Sequence, residues 1–452
     1  MKIIIVGCGK VGRTIAKTLS GENHDITVID INKEAVSDIS DVLDVMGIVG
    51  NGVSHDVLME ADVRNTELLI AVTNSDEENL LTCLMAKKLS GCSTIARVRN
   101  PLYTKQIRYI KDDLGLSLAI NPEYASAAAI SNLLRFPSAI EVDTFSGGRL
   151  DLMKFVIPAG SVLDGCELKH IKSVAKSDVL ICAVERAGEV EIPDGSFTLK
   201  AGDKVGMVAS PVNARDFFVR TGIGRHRIRS CMIIGGGMIA YYLAEMLTST
   251  GIGVKIIEQN RERCAFLSEA IPKALVINGD ATNEEILREE RIDDEDAVVS
   301  LTGIDEANVF LSLFAQQVSG AKVVTKLDRL NYSQIVDSMD LGSVIRPKEL
   351  TAEAIISFVR ALQNSIGSNV ETLYHVFSDK VEALGFIIQE DSPVIGITLS
   401  ELRTRKGVLI AGIIRQGKTI IPNGQSMIEA GDSVVIVTNC SGFGDIKDIL
   451  EK

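Results

Sequence analysis

The sequence predicts an α/β protein built from two similar halves. Each half begins with short β-branched runs that alternate with helical stretches of three or four turns, a pattern typical of βαβ units around a parallel sheet. A glycine-rich turn opens each half, as IIIVGCGKVG near the N-terminus and as MIIGGGMIA from Met232. A β-rich stretch with turn signals such as PDG and AGD closes each half. We therefore expect two tandem Rossmann-like parallel-sheet domains, each followed by a small α+β lobe.

The two halves are a tandem duplication, because the same features recur at a nearly constant spacing. Gly7 and Gly235 lie 228 positions apart, and so do Asp30 and Glu258. The segments IPDGSFTLKAGDKVGMV and IPNGQSMIEAGDSVVIV, near the ends of the two halves, lie 229 positions apart. A spacing that holds over the whole length is the signature of internal repetition.

The repeat and the changes in composition divide the chain into five segments. Two helical stretches with proline in the first turn, NPEYASAAAISNLLRF and RPKELTAEAIISFVRAL, end the parallel-sheet domains. We expect these domains at 1–137 and 230–364, the lobes at 138–220 and 365–452, and a basic, glycine-containing linker at 221–229.

Composition argues against several classes of function. The 452 residues carry a formal net charge of −13, 4% aromatic residues and no tryptophan, so binding of nucleic acid through a basic surface or by base stacking is not expected. The eight cysteines and five histidines show no metal-ligand spacing, so no metal site is expected. Apolar runs fall far short of the about 20 residues that span a bilayer, which predicts a soluble, cytosolic protein.

The first glycine-rich turn predicts a dinucleotide site. Gly7, Gly9 and Gly12 follow a strand and open a helix, and Asp30 ends the next strand, 18 positions after Gly12. Such glycines allow a tight turn, the approach of a diphosphate to the helix N-terminus and close helix packing, while the acid binds ribose hydroxyls. The acid would repel a 2′-phosphate, which favours NAD(H) over NADP(H). A glycine turn that only packs a helix is the alternative.

Other residues are expected beside the same cleft. Thr73 and Asn74 follow a predicted strand at the edge of the sheet where ligands bind, and they suit a ribose or a phosphate. Arg97 ends another strand and could pair with a phosphate or, alternatively, with a neighbouring carboxylate. Cys8 is expected to fill a narrow slot rather than to react. The acidic run SDEEN is expected to cap a helix and face solvent.

The second copy keeps the spacing but not every residue. Its turn and acid are Gly235, Gly236, Gly237 and Glu258. Ala240 replaces the third glycine, at a slight cost to the approach of helix and strand. Thr302 is retained after its strand, but Gly303 replaces the asparagine and removes a polar contact.

The chain lacks the parts that a nicotinamide dehydrogenase needs. Such an enzyme brings a general acid or base from a substrate domain to its cofactor. Here the two lobes resemble each other, and His170 in the first has no counterpart at the repeat spacing. We therefore expect a binding protein that is not an enzyme. An NAD-dependent oxidoreductase with duplicated Rossmann domains is the alternative.

The motifs AVTNSDEENLLTCLMAKK, IARVRNPLY, NPEYASAAAISNLL and IPDG…AGDKV, in this order, resemble the tandem RCK (KTN) domains of the TrkA family in Trk potassium-uptake systems. The resemblance covers essentially the whole chain. It implies a regulatory subunit, peripheral on the cytoplasmic face of the membrane, that assembles as a tetrameric ring under a potassium-translocating membrane subunit. It also implies that NAD(H), or alternatively ATP or ADP, binds in the Rossmann clefts and alters gating.

Carried over position by position, the resemblance implies nucleotide contacts in both halves. In the first half these are Gly7, Cys8, Gly9, Lys10, Val11, Asp30, Thr73, Asn74 and Arg97. In the second half they are Gly235, Gly236, Gly237, Met238, Ile239, Glu258 and Thr302. Because Ala240 and Gly303 depart from the pattern, weaker binding is expected in the second half. The helices predicted at 122–136 and 347–362 are expected to form a hinge that occupancy of the clefts biases.

Overall fold

The computed structural model describes the chain except for residues 23, 146–147, 224–226, 329–338, 340, 365–369, 378–379, 441–442, 444 and 452. It confirms the predicted fold class. Two six-stranded parallel sheets alternate along the chain with two five-stranded antiparallel sheets. Within the described residues, no helix combines the length and the hydrophobicity needed to cross a membrane.

The first parallel sheet has a Rossmann-like strand order, β3-β2-β1-β4-β5-β6. Its strands are β1 (Lys2–Val6), β2 (Asp25–Asp30), β3 (Met46–Val49), β4 (Leu68–Ala71), β5 (Ser93–Arg97) and β6 (Leu118–Ile120). Its helices are α1 (Lys10–Ser20), α2 (Lys33–Ser40), α3 (His55–Glu60), α4 (Asp76–Ser90) and α5 (Pro101–Ile110). The central strands are apolar and buried along most of their length, because helices cover both faces of the sheet.

The helix α6 (Pro122–Arg135) leads into the first lobe. The lobe contains β7 (Glu141–Phe145), β8 (Leu150–Val156), β9 (Val179–Arg186), β10 (Glu189–Glu191) and β11 (Lys204–Ala209), in the order β10-β9-β11-β8-β7. Two helices complete it, α7 (Ile171–Ala175) and α8 (Pro211–Arg220). Of the linker expected after α8, residues 224–226 lie outside the described residues, and Ile223 and Ile228 on either side are buried.

The second half repeats this order. Its parallel sheet contains β12 (Ser230–Ile234), β13 (Gly253–Glu258), β14 (Ala274–Asn278), β15 (Ala297–Ser300), β16 (Lys322–Lys326) and β17 (Ser343–Ile345), in the order β14-β13-β12-β15-β16-β17. Its helices are α9 (Met238–Ser249), α10 (Arg261–Ala270), α11 (Glu284–Glu289) and α12 (Asp305–Val318). Then α13 (Pro347–Asn364) leads into a lobe with β18 (Val370–Val376), β19 (Val381–Ile387), β20 (Val408–Arg415), β21 (Lys418–Ile420) and β22 (Ser433–Thr438). The lobe order β18-β19-β22-β20-β21 matches that of the first lobe.

The helix that follows each parallel sheet packs on the other half of the molecule. Ile130 of α6 lies in one buried core with Leu243 of α9. Conversely, Ile355 of α13 lies in one buried core with Ile15 of α1. Because each fully buried side chain of this size stabilises the fold by about 1.5–3 kcal/mol, this exchange of helices joins the two halves firmly.

The two lobes also pack against each other. Leu152 of β8 and Val208 of β11 share a buried core with Ala383 of β19 and Val435 of β22. The opposite face of the first lobe sheet packs on its own helices, with Phe155 among the side chains. Both faces of this sheet are therefore covered, which explains why β8 is buried along most of its length instead of alternating with polar residues.

Candidate functional site

The first glycine-rich turn lies between β1 and β4, where the strand order of the sheet reverses and ligands of such folds bind. Gly7 has φ of +107°, and a Cβ atom there would lie 2.9 Å from the main-chain nitrogen of Thr73. A Cβ atom at Gly12 would overlap the carbonyl oxygen of Gly7, whereas one at Gly9 would meet nothing within 4 Å. The backbone therefore requires Gly7 and Gly12, while Gly9 borders open space that a ligand can enter.

The N-terminus of α1 opens onto the same space. Gly9 is the N-cap residue and supplies no side-chain cap. The first N–H groups of the helix, from Lys10 onward, are therefore available to an anionic ligand. Lys10 is exposed, whereas Val11 is buried in the core beneath the turn.

Asp30 joins the turn to the end of β2. Its Oδ2 accepts a hydrogen bond of 2.6 Å from the Cys8 N–H, and its Oδ1 accepts one of 2.8 Å from the Asn32 N–H. Each carboxylate oxygen keeps further acceptor capacity for ribose hydroxyls. Burial, and then the charge of Asp30, raises the pKa of the Cys8 thiol to about 12, so this thiol stays protonated and packs rather than reacts.

A cavity of about 530 Å³ opens above the turn, within the range of small-molecule sites. Its wall includes six residues expected from the sequence, which are Gly7, Cys8, Gly9, Asp30, Thr73 and Asn74. Lys10, Val11 and Arg97 are not part of this wall. Asn51 and Gly52, in the loop after β3, line the cavity although the sequence analysis missed them. The recurrence of GNG near Gly50 as GDA in the second half was the signal that could have identified this loop.

Thr73 is held in place by a buried amide that the sequence analysis also missed. Asn79 Oδ1 accepts hydrogen bonds from the N–H and the hydroxyl of Thr73, both of 2.8 Å, and Asn79 Nδ2 donates to the carbonyl of Arg97 at 2.9 Å. Asn308 holds Thr302 and the end of β16 in the same way. The two asparagines lie 229 positions apart, so the repeat itself carried the signal. They tie together the two strand ends that border each cleft.

The expectation that the run SDEEN only caps a helix and faces solvent was wrong for Asp76. Ser75 does cap α4, but the side chain of Asp76 is buried, with the residue 7% exposed. Asp76 Oδ2 accepts hydrogen bonds from the main-chain N–H groups of Arg99, at 2.9 Å, and Asn100, at 2.7 Å. Asp305 holds the equivalent loop of the second half. These carboxylates fix the loops that lead away from β5 and β16.

Arg97 belongs to a charged network between the cleft and α6. Burial, and then the charge of Arg99, lowers the pKa of Arg97, while Glu123 and Asp76 oppose that shift. Burial raises the pKa of Glu123, in the first turn of α6. Arg97 Nε and Glu123 Oε2 are buried without a hydrogen-bond partner among the described residues. The guanidinium of Arg99 donates to the carbonyl of Asn74, so this network reaches the wall of the cavity.

The second half repeats the geometry of the turn. Gly235 has φ of +101° and its N–H donates to the carbonyl of Ile257 at 2.8 Å. Glu258 accepts from the N–H of Gly236 at 2.6 Å and from the N–H of Asn260 at 2.7 Å, as Asp30 does in the first half. Gly237 is the N-cap of α9 and supplies no side-chain cap, so Met238 and Ile239 begin the helix as Lys10 and Val11 do.

The two departures from the pattern have visible consequences. A methyl group at Gly12 would overlap the turn of the first half, whereas Ala240 carries one and is fully buried. The second half therefore accommodates a methyl group at a position where the turn of the first half has no room for one. Gly303 takes the position that Asn74 has in the first half. A Cβ atom at Gly303 would meet nothing within 4 Å, so this edge of the second cleft is open and has no side-chain amide.

A side chain without a counterpart in the first half lies over the second turn. Arg263 Nε donates to the carbonyl of Gly236 at 2.6 Å, and its Nη2 donates to the carbonyl of Gly237 at 3.2 Å. The corresponding position in the first half is Ala35, which lines the open cavity. Burial lowers the pKa of Arg263, and the charge of Glu258 opposes that shift. The second cleft thus holds a cation where the first is open.

Comparison with known proteins assigns the family. The TrkA-N domain family model matches residues 3–122 and 231–347, and the TrkA-C domain family model matches residues 152–220 and 384–451. The chain belongs to the TrkA family. The resemblance inferred from its motifs is confirmed.

Relatives match this TrkA-family chain over nearly its whole length. It is 34% identical to the Trk system potassium uptake protein TrkA homolog 1 of Methanosarcina mazei, over 99% of both chains. It is 32% identical to the Trk system potassium uptake protein TrkA of Halomonas elongata, over 96% of this chain and 95% of that one.

Solved structures share the fold. The GsuK channel bound to NAD superposes with a TM-score of 0.63 at 18% identity, over 97% of this chain and 76% of that chain. The GsuK RCK domain superposes with a TM-score of 0.63 at 18% identity, over 96% of this chain and 92% of that chain. The two tandem units with their lobes are thus an arrangement that RCK proteins share.

Proposed function

We propose that this chain is the nucleotide-binding regulatory subunit of a Trk-type potassium transporter, and that binding in its first Rossmann-like cleft gates potassium uptake by changing the arrangement of the two halves. Membership of the TrkA family supports the role in potassium uptake. The observation that carries the nucleotide part is the cavity where Gly9, Asp30 and the uncapped N-terminus of α1 converge.

The donors and acceptors of the first cleft suit an adenine dinucleotide. The diphosphate would accept hydrogen bonds from the N–H groups at Lys10 and beyond, and Asp30 would accept from the ribose hydroxyls. Thr73 and Asn74 also line the cavity, after the end of β4 and beside Gly7, where a second phosphate or ribose would reach them. The carboxylate of Asp30 disfavours a 2′-phosphate, which favours NAD(H), with ATP and ADP as the alternatives.

A path of direct contacts connects the first cleft with the second half. The carbonyl of Asn74 accepts from Arg99, and the carbonyl of Arg99 accepts from the hydroxyl of Tyr242 in α9 at 3.2 Å. Asn121, the N-cap of α6, donates to the same hydroxyl at 3.0 Å. A nucleotide that binds more tightly to one position of this loop would shift the relative position of α6 and α9. We propose that this path carries the effect of nucleotide binding to the hinge expected at α6.

The second cleft is proposed as the weaker nucleotide site. Its turn and Glu258 repeat the geometry of the first half. However, Arg263 covers the carbonyl groups of Gly236 and Gly237, and Gly303 offers no side-chain amide. A nucleotide there has to displace or pair with the guanidinium of Arg263.

The oxidoreductase alternative finds little support in the cavity. Among the described residues that line it, only the carboxylates of Asp30 and Glu78 could act as a general acid or base, and no histidine, lysine or tyrosine is present. Cys8, the nucleophile nearest to the turn, has a pKa of about 12. We therefore propose that nucleotide is bound without turnover.

The partner and the location complete the proposal. Relatives over the whole chain are named Trk system potassium uptake proteins, which supports a partnership with a potassium-translocating membrane subunit. We propose that the chain acts from the cytoplasmic face, peripheral to the membrane, as a homo-oligomeric ring of four chains.

A flux measurement tests this function. Proteoliposomes that contain a Trk-type membrane subunit are mixed with the full chain while NADH, NAD, ATP or ADP is titrated and potassium uptake is recorded. At least one nucleotide is expected to change uptake, with a half-maximal effect at the concentration that half-saturates its binding. The Asp30→Ala variant should lose this response. The Asp25→Ala variant, changed at an exposed position outside the cavity, should keep it. Uptake that stays unchanged at saturation, or steady consumption of NADH by the chain, would overturn the proposal.

A further inference from the structure

A second cavity, of about 560 Å³, lies at the junction of the two halves. Its walls come from the C-terminal part of α6, from α8, from Arg227 and Ile228 before β12, and from the C-terminal end of α9. This junction cavity therefore lies at the opposite end of α9 from the second glycine turn.

The floor of the junction cavity is apolar. It is formed by the buried side chains of Leu134, Phe136, Phe218, Ile228 and Leu247. At its rim, Val212 and Val219 of α8 are 69% and 71% exposed. Covering apolar surface stabilises a complex by about 25 cal/mol per Å², so the cavity favours a ligand with an apolar body.

The rim of the junction cavity is cationic. Arg135, Arg215 and Arg227 line it, and all three are exposed. The lining contains no aspartate or glutamate among the described residues, although the chain has 60 acidic residues against 47 lysines and arginines. Among the residues that the structure describes, Arg215 and Arg227 form no ion pair. The guanidinium of Arg135 lies over the ring of Phe136, with 5.2 Å between its central carbon and the ring centroid.

We propose that the junction cavity binds a single-chain amphipathic anion, with an apolar body on the floor and a carboxylate or phosphate head between the three arginines. Guanidinium groups bind both kinds of head through paired N–H donors, and they do so more strongly beside apolar surface than in open water. The volume lies within the 300–1,000 Å³ range of small-molecule sites. The site does not depend on the nucleotide cleft.

Occupancy of the junction cavity would affect the arrangement of the halves. The ligand would contact α8 of the first lobe and α9 of the second parallel-sheet domain at the same time. Any arrangement in which these helices close on the ligand would be stabilised by its binding. The junction cavity is therefore a second regulatory input, separate from the glycine turns.

Isothermal titration of the full chain with dodecyl phosphate and with dodecanoate, below their micelle concentrations, tests the site. Saturable binding of at least one is expected, and the responding anion identifies the head group. Inorganic phosphate and dodecyl maltoside, which carry only the charge or only the chain, should bind about tenfold more weakly or not at all. Lack of binding by both anions, or equal binding of the neutral maltoside, would overturn the proposal.

Variants localise the binding. The Arg215→Gln, Arg227→Gln double variant should bind the responding anion about tenfold more weakly, whereas Arg229→Gln, exposed and outside the lining, should bind like the parent chain. Thr250→Trp, at an exposed position on the rim, should block the cavity by filling it. Urea unfolding of each variant reports that it is folded. Unchanged anion affinity in both the double variant and Thr250→Trp would contradict the proposed location.

Discussion

At the scale of single residues, the same side chains serve the fold and the proposed ligand. Asp30 holds the glycine turn through two main-chain hydrogen bonds, and its remaining acceptor capacity faces the cavity. Glu258 makes the equivalent bonds in the second half, but Arg263 lies beside it. Because the two clefts share the turn and differ at Ala240, Arg263 and Gly303, substitutions can separate structural from binding roles.

Replacing Asp30 should affect both stability and binding. In Asp30→Ala, the N–H groups of Cys8 and Asn32 lose their acceptor, which should lower the free energy of unfolding by about 1–3 kcal/mol. Loss of the ribose contacts should also weaken nucleotide binding at least about tenfold. Urea unfolding and calorimetric titration measure the two effects, with Asp25→Ala as the matched control. Parent-like affinity in Asp30→Ala would rule out the assigned ribose contact.

Removing Arg263 should open the second cleft. In Arg263→Ala, the carbonyl groups of Gly236 and Gly237 lose a guanidinium, and the position then matches Ala35 of the first half. The second nucleotide is expected to bind several-fold more tightly, so calorimetric stoichiometry should approach two per chain. Arg261→Ala, on an exposed position of the same helix, serves as the control. If Arg263→Ala weakens the second site instead, the arginine is a ligand contact and not an obstacle.

At the scale of secondary structure elements, the exchanged helices provide the contacts between the halves that the proposed gating would use. The N-terminus of α6 meets α9 through the hydrogen bond from Asn121 to Tyr242. The ring of Tyr242 also packs against the ring of Tyr124. On the other side of the molecule, α13 is joined to the loop between α1 and β2 by the ion pair of Arg360 with Glu22. These two contacts connect each parallel-sheet domain to the helix of its neighbour.

Removing one hydroxyl group should uncouple α6 from α9. In Tyr242→Phe, the ring keeps its packing against Tyr124, but Asn121 and the carbonyl of Arg99 lose a hydrogen-bond partner. Nucleotide affinity at the first cleft should change little, whereas the nucleotide-dependent protection of α9 from hydrogen exchange should diminish. Tyr241→Phe, one residue earlier in α9, is the control. If nucleotide protects α9 from hydrogen exchange as strongly in Tyr242→Phe as in the parent chain, this contact is not part of the path.

His24, next to the Arg360–Glu22 ion pair, should make stability depend on pH. Among the described residues its buried ring has no hydrogen-bond partner, and the Glu22 carboxylate lies 3.9 Å from its Nε2. Burial, followed by the N-terminal ammonium group, lowers the pKa of His24 below 6.5, and the charge of Glu22 opposes that shift. Because the unfolded chain then binds a proton more readily than the folded chain, stability should fall as pH drops through about 6.5. Urea unfolding between about pH 5 and 8 should show this slope, and His24→Gln should reduce it. An identical slope in the variant would assign the effect to other groups.

At the scale of the whole molecule, four sheets form one body with internal pseudo-symmetry. The exchanged helices bury cores that each draw on both halves, and the lobes stack through a common apolar core. The halves therefore cannot separate without exposing apolar surface, so the proposed ligands would act by shifting packed elements and not by opening free domains. The junction cavity and the two glycine turns are the places where such shifts can be biased.

Nucleotide binding should stabilise the whole chain. A ligand that binds only the folded state raises the free energy of unfolding by about 2.7 kcal/mol when its concentration is 100 times its Kd. NAD, NADH, ATP and ADP should therefore be compared in thermal unfolding at equal concentrations, with NADPH as the control that Asp30 disfavours. A larger upward shift of Tm with NADH than with NADPH is expected. Equal shifts for the two would contradict the role of the carboxylate.

The sequence by itself determined the duplication, the parallel and antiparallel sheets and the glycine turns, because strand, turn and helix signals act between neighbours in the chain. It also located Asp30 and Thr73 at strand ends, which parallel topology brings to one edge. Only the tertiary structure decided that Asp76 is buried, that Arg263 covers the second turn and that α6 and α13 each pack on the other half of the molecule. These features, like the junction cavity, depend on which distant surfaces meet. Local propensities do not determine which distant surfaces meet. The burial of apolar faces between the halves determines it.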